Sequence, residues 1–428
     1  MLCYQSAHCQ ISNSAHLSMQ WSGTFKNNKD SGRWDWQLII FFLNVAAVVV
    51  GYSLREGSFQ AIKLFRTGLV FVSLFALFLG QSQIKYYFDG NKNWVLWVFL
   101  SLSLAVMPFS VDFFWSIERY LAWIPFVVYV NYFIVYLFRQ YTKDEAQIKL
   151  LQIFNIVYFL PVFVMIINGV MFKTENIYGQ TVSGFIANVL GWACTLFVLT
   201  GFDLYANKES SKWTKYLFFI TAILSLWGVV LTGSRSSYIS LATATLVLVL
   251  RSRQISFNLK AVVSFFIFIF AYYIITSPDS VINLRSQYAE VRQVKGEARF
   301  ELASMAFHTI LKYPTLVFTG FGFDNFKAGL SAYGGIKTEL ASHNSYLEIF
   351  FSSGIFTFLF FLIVIVGNAI IKYIKFDSQQ FIYLPMLLIV PYFESNLNAG
   401  QFLFFPWMGF LFYYVHAGSL QFPVSDIE

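Results

Sequence analysis

The chain has 428 residues and a formal net charge of +7, yet only 12% of its residues are charged, while 57% are hydrophobic and 20% aromatic. A soluble protein carries about a quarter charged residues. No soluble core hides this much apolar side chain, so a soluble enzyme is excluded and lipid must be the main solvent. A nucleic-acid binder is excluded too, because its positive charge would gather on one soluble face.

Stretches of about 17 to 25 apolar residues cross a bilayer as helices, because a helix satisfies its own backbone groups there. The first 35 residues are polar and mixed, without a charged-then-apolar cleavable signal. They read as a cytoplasmic leader, with Met19 an alternative start. Twelve candidate spans follow in chain order: 36–54, 68–84, 94–109, 120–138, 150–172, 181–203, 216–232, 236–250, 261–276, 346–370, 381–393 and 401–416.

Lys and Arg in short loops set the orientation. With the N-terminus inside, sixteen cations fall in inside loops, from Lys26 to Lys375. Six fall outside: Arg55, Lys63, Arg66, Arg119, Lys173 and Arg235. Both termini are therefore expected inside, although the 55–66 loop fits this poorly. The predicted organisation is a leader (1–35), helices one to nine (36–276), a long outer loop with amphipathic helices (277–345) and helices ten to twelve (346–428). A long ordered loop is usually functional. Cys3, Cys9 and Cys194 offer no metal-ligand spacing or disulfide pair.

In "TGSRSSYISL", Arg235 sits where two spans almost touch, as either a snorkelling anchor or part of an anion site. "GEARFELASMAFHTILKYP" reads as an amphipathic helix, with Phe300, Phe307 and Leu311 at helical spacing and Pro314 at its end. Arg299 lies off that stripe near the helix start. His308 is about half a turn out of phase with it. In "TGFGFDNF", Gly320 and Gly322 permit a sharp turn ahead of Asp324 and Asn325. In "HNSYLEIFFSSG", His343, Leu347, Phe350 and Gly354 are predicted on one helical stripe, the glycine allowing close helix packing. Asn344 and Glu348 form an i, i+4 pair that places a carboxylate one turn into the membrane. Glu348 is then a functional group or the partner of an outer cation. His343 is a helix cap or a reactive imidazole.

The order "TGSR", "ARFELASMAF" with a downstream proline, "GFGFDNF" and "HNSYLEIFFSSG" resembles the O-antigen polymerase and ligase family, over roughly residues 215–370. His343-Asn344, nine residues and then Gly354 is similar to the family's signature at its tenth helix. The resemblance implies an all-α, polytopic membrane glycosyltransferase of GT-C type, with about 12 transmembrane helices and a large periplasmic loop between helices 9 and 10. It implies a bacterial inner-membrane location and a donor glycan on undecaprenyl diphosphate. The expected partners are that donor, a glycan acceptor, inner-membrane lipids and a chain-length regulator. Carried over by motif, Arg235 and Arg299 bind the diphosphate and His343 assists the acceptor. Glu348 is the second catalytic candidate, and Asn344, Gly320, Gly322, Asp324 and Asn325 support the acceptor or the loop. The motif around Arg299 is looser than the form often seen in ligases, which leaves polymerase and ligase both open.

The outer loops hold no DxD pair, Asp112 and Glu118 being too far apart. No catalytic metal and no cofactor are expected. The 277–345 loop sets seven cations against six acids, and Tyr288, Tyr313, Phe321, Phe323, Phe326 and Tyr333 offer sugar-stacking faces or membrane contacts. That near-neutral, aromatic balance suits a second lipid-linked repeat better than a phosphorylated lipid A core, and favours a polymerase. A two-halved transporter would place its long loop nearer the middle, and a scaffold would not need His343, Glu348 and two outer arginines.

Overall fold

The computed structural model describes residues 35–53, 59–79, 93–172, 187–206, 212–232, 235–251, 256–276, 298–335, 344–375 and 404–416. Every regular element among them is helical. The chain divides into two units, Met1–Trp36 and Gln37–Glu428, and the second is the helical body.

The Phe113–Gln140 helix forms its axis. Every residue from Pro125 to Phe138 is buried, as expected of a helix that is apolar all round. The Phe59–Leu79 and Phe404–His416 helices pack against it. Phe41, from the Trp36–Ser53 helix, stacks on Phe133 with ring centroids 3.8 Å apart. In a second group, Ala187–Ala206 lies along Lys212–Thr232. Gly201 permits that approach, since a Cβ there would stand 2.5 Å from the Phe218 carbonyl oxygen.

Two described helices are long and apolar enough to cross a membrane, Phe113–Gln140 and Ser345–Ile371. The outer faces of others also call for lipid. Phe71, Val72 and Phe75, and again Phe265, Phe266, Phe268 and Tyr272, are more than half exposed. In water such bands would drive association.

Several predicted boundaries move, each for a local reason. The span expected at 68–84 begins at Phe59. Phe59, Ile62, Leu64 and Phe65 extend its apolar run, so most of the ill-fitting 55–66 loop, with Lys63 and Arg66, is helix. The span expected at 150–172 begins at Lys143, because Thr142 and Glu145 build a capping box. The Thr142 amide donates to Glu145 Oε2 at 3.0 Å, and the Glu145 amide donates to Thr142 Oγ1 at 3.4 Å. The span expected at 94–109 ends at Ala105, ahead of a 3-10 turn over Met107–Phe109 that contains Pro108. The leader, the 381–393 span and residues 277–297 of the long loop lie outside the described residues.

Candidate functional site

Three elements meet at one end of the helical body: the start of the Phe113–Gln140 helix, the turn at 320–325, and the start of the Ser345–Phe360 helix. Asp112 caps the first, its Oδ1 accepting the Trp115 amide at 2.9 Å. Asn344 caps the last, its Oδ1 accepting the Leu347 amide at 3.0 Å. Each cap satisfies a backbone donor that the helix itself leaves free.

The turn between them is forced by glycine. Gly320 and Gly322 have φ of +67° and +101°, and Asp324 also takes a positive φ of 59°. Phe321 then staples two elements: its amide donates to the Phe351 carbonyl at 2.5 Å, and its carbonyl accepts the Val111 amide at 2.9 Å. Asn325 Nδ2 donates to the Asp112 carbonyl at 3.0 Å and to Ser116 Oγ at 2.8 Å. Ser116 Oγ donates to the Phe323 carbonyl at 3.2 Å, and Trp115 Nε1 to the Asp324 carbonyl at 3.3 Å. The turn is thereby tied to the central helix by side chains and to the Ser345–Phe360 helix by backbone.

Gly354 closes the same junction from the other side. It is not a regular helical residue on a stripe with Leu347 and Phe350, as the spacing predicts. Its φ of 72° and ψ of −180° break the helix. Phe318 requires this, for a Cβ on Gly354 would lie 2.0 Å from the Phe318 carbonyl oxygen. A Cβ on Gly320 would likewise lie 2.5 Å from the Phe351 carbonyl oxygen. The two glycines form one reciprocal contact.

The Ala298–Lys312 helix buries Leu302, Ala306 and Ile310, while Leu311 is 70% exposed and Phe307 39%. On the predicted stripe Phe307 still stacks on Phe350, with ring centroids 5.7 Å apart, while Leu311 faces outward. Phe321, Phe323 and Phe326 are buried and cannot stack on a sugar. The glycine turn folds Phe321 against Phe351 and Tyr333. The Asn344 side chain caps Leu347, and its carbonyl accepts the Glu348 amide at 2.8 Å, which sets Glu348 in the first turn of the helix as the i, i+4 spacing predicts.

Of the predicted site residues, Gly320, Gly322, Asp324, Asn325, Asn344 and Glu348 come together here. Arg235 opens the Arg235–Arg251 helix, and Arg299 is the second residue of the Ala298–Lys312 helix. His343 lies outside the described residues, next to Asn344 in the chain. His308 is exposed, and its Nδ1 lies 2.8 Å from the Ser304 carbonyl oxygen.

Arg119 is the residue that sequence reasoning missed, having counted only as loop charge. Its Nε lies 3.6 Å from Asp324 Oδ2, and its guanidinium lies over the Trp115 ring, 3.9 Å from the centroid. The i, i+4 spacing of Trp115 and Arg119 was the available signal. A second carboxylate, Glu348, lies in the first turn of the Ser345–Phe360 helix. Glu348 Oε2 is buried, with no hydrogen-bond partner among the described residues.

Fold and site thus define a helical, integral membrane protein with a polar junction at one end of its helices. Residues 220–362, which contain the turn and the start of the Ser345–Phe360 helix, match the family model described as O-antigen ligase. The match covers about a third of the chain and supports its resemblance, over that segment, to the O-antigen polymerase and ligase family. No curated protein matches the chain.

Proposed function

We propose that the protein is an O-antigen polymerase, or a polymerase of a related surface polysaccharide, joining undecaprenyl-diphosphate-linked repeat units on the periplasmic face of the bacterial inner membrane. The observation that carries this reading is the junction itself. Within the family-matched segment, the glycine turn that carries Asp324 and Asn325 is bonded through Phe321 to the Ser345–Phe360 helix, which Asn344 caps and whose first turn holds Glu348, and His343 directly precedes Asn344 in the chain.

In the proposed reaction an acceptor hydroxyl oxygen attacks the anomeric carbon of the donor sugar. The bond from that carbon to the phosphate oxygen breaks, and the lipid diphosphate leaves with the electron pair. The hydroxyl proton passes to His343, whose unperturbed pKa of about 6.5 suits it to accept a proton near neutrality. Arg235 and Arg299 take the diphosphate, because guanidinium forks donate paired hydrogen bonds to phosphate oxygens and keep their charge. Both arginines lie in the first turn of a helix, where free backbone N–H groups favour an anion. With that charge supplied by arginine, the reaction as drawn needs no metal.

A ligase that transfers the glycan to lipid A core is the second reading, favoured by the description of the matched family. The near-neutral 277–345 loop favours the polymerase, although three of its aromatic residues are buried. Deleting the gene tests the choice. A polymerase mutant leaves lipopolysaccharide with one repeat unit on its core. Bare core, with full-length chains stranded on the carrier lipid, would establish the ligase.

A further inference from the structure

A groove of about 530 Å³ runs along the Asn93–Ala105 helix, lined from Asn93 through Trp94, Trp97, Val98 and Ser101 to Ala105. These residues recur three to four places apart, so they share one helical face. The opposite face, with Val95, Phe99 and Leu100, is buried in the core. At a rise of about 1.5 Å per residue the groove is about 18 Å long. At its inner end Asn93 turns toward the core, its Oδ1 accepting from Asn131 Nδ2 at 3.0 Å, and Asn131 Oδ1 lies 2.9 Å from His416 Nε2. The wall left open is mostly apolar and dominated by Trp94 and Trp97, 53% and 41% exposed.

The grooved helix packs against the Ser345–Phe360 helix, which begins at the junction, and is tied to it near both ends. At the inner end Trp94 meets Phe360 edge to face, with ring centroids 6.2 Å apart. Past the outer end, the Val111 amide donates to the Phe321 carbonyl, and the Phe321 amide donates to the Phe351 carbonyl. The outer end of the groove therefore leads toward the junction. That placement separates ligand classes. A glycan would leave its hydroxyls unmet on such a wall. A phospholipid tail reaches only the midplane, about 15 Å into a hydrocarbon core of about 30 Å. A polyprenyl chain is longer than one leaflet and apolar throughout. It can cover the whole stripe, and the two indole rings offer it broad apolar contact.

We propose that the groove on the Asn93–Ala105 helix holds the polyprenyl tail of the lipid-linked substrate, with its head toward the junction. This rests on the polymerase and ligase reading for its substrate class. The test is binding, without turnover, so it stands apart from the fate of that reading.

Purified protein in nanodiscs is irradiated with undecaprenyl diphosphate that carries a diazirine in its tail, and the labelled peptides are mapped by mass spectrometry. Label should fall on residues 93–105, and excess unlabelled undecaprenyl diphosphate should remove it where equal excess phospholipid does not. Ser101 is exposed on the groove, so Ser101→Trp fills the groove without entering the core. That variant should bind undecaprenyl diphosphate at least about tenfold more weakly, since buried methylenes are displaced. It should bind inorganic diphosphate, which has no tail, as the wild type does, and keep the wild-type thermal midpoint. Label that neither lipid competes away would overturn the proposal, because the groove would then hold bulk lipid. So would the absence of label on 93–105, since another segment such as 381–393 would then cover the stripe. A Ser101→Trp protein that loses both ligands in parallel, or neither, would overturn it too. Competed labelling by a protein that joins no repeats would support the groove while removing the polymerase reading.

Discussion

Replacing Gly354 by alanine attacks the contact on which the whole junction depends. At φ 72° and ψ −180° the residue occupies a region that is essentially restricted to glycine, and a side chain there costs about 1–3 kcal/mol. The new Cβ would also stand 2.0 Å from the Phe318 carbonyl oxygen and 2.9 Å from the Thr319 amide nitrogen. Those are backbone atoms, so relief requires the 315–320 segment to move, at a further cost of about 1–3 kcal/mol as in other overpacked sites. The sum, roughly 2–6 kcal/mol, is a large part of the 5–15 kcal/mol typical of a folded domain. Gly354→Ala should therefore lower the thermal midpoint in detergent micelles and abolish transfer. Gly68→Ala is the control: its Cβ meets nothing within 4 Å, and alanine is the better helix former by about 0.8–1 kcal/mol. Gly320→Ala should resemble Gly354→Ala, and the double variant should lose less than the two singles combined, because both break one contact. A Gly354→Ala protein with a wild-type midpoint would refute the reasoning.

Asn344→Ala should destabilise the protein by about 1 kcal/mol through loss of the helix cap, and Asn344→Asp should restore the melting midpoint. Arg235→Lys and Arg299→Lys should each lose most activity and weaken binding of a lipid-diphosphate analogue, because a point charge cannot reproduce a bidentate contact. Equal performance by lysine at both positions would indicate simple attraction or membrane topology instead. His308→Ala should retain most transfer activity, since that side chain is exposed and engages its own helix.

The residues that build the junction were legible to different depths. "GFGFDNF" showed the turn, because paired glycines ahead of Asp and Asn leave few other backbone choices. The spacing from His343-Asn344 to Gly354 located both ends of the right segment. It anticipated the close approach at Gly354, where the Thr315–Thr319 helix packs, but not the break there, because helical periodicity assumes an unbroken helix and the break meets Phe318, far off in sequence. Arg119 was hidden for the same reason: its partner Asp324 arrives only when the turn folds back on the central helix. The burial of Phe321 and Phe323 was equally a tertiary outcome, since aromatic residues in a loop carry no local sign of which way they face. Helix starts behaved better where a capping pair was present, as at Thr142 and Glu145, and worse where an apolar run simply continued, as ahead of residue 68.

The most direct test of the central claim is turnover in a defined system. Purified protein in proteoliposomes is given undecaprenyl-diphosphate-linked repeat units, and the products are resolved by length. The account predicts a ladder of lengthening lipid-linked glycans with the wild type, and single repeats only with a correctly inserted His343→Ala variant. Repeats moved across the bilayer without being joined, or a full ladder from His343→Ala, would contradict it.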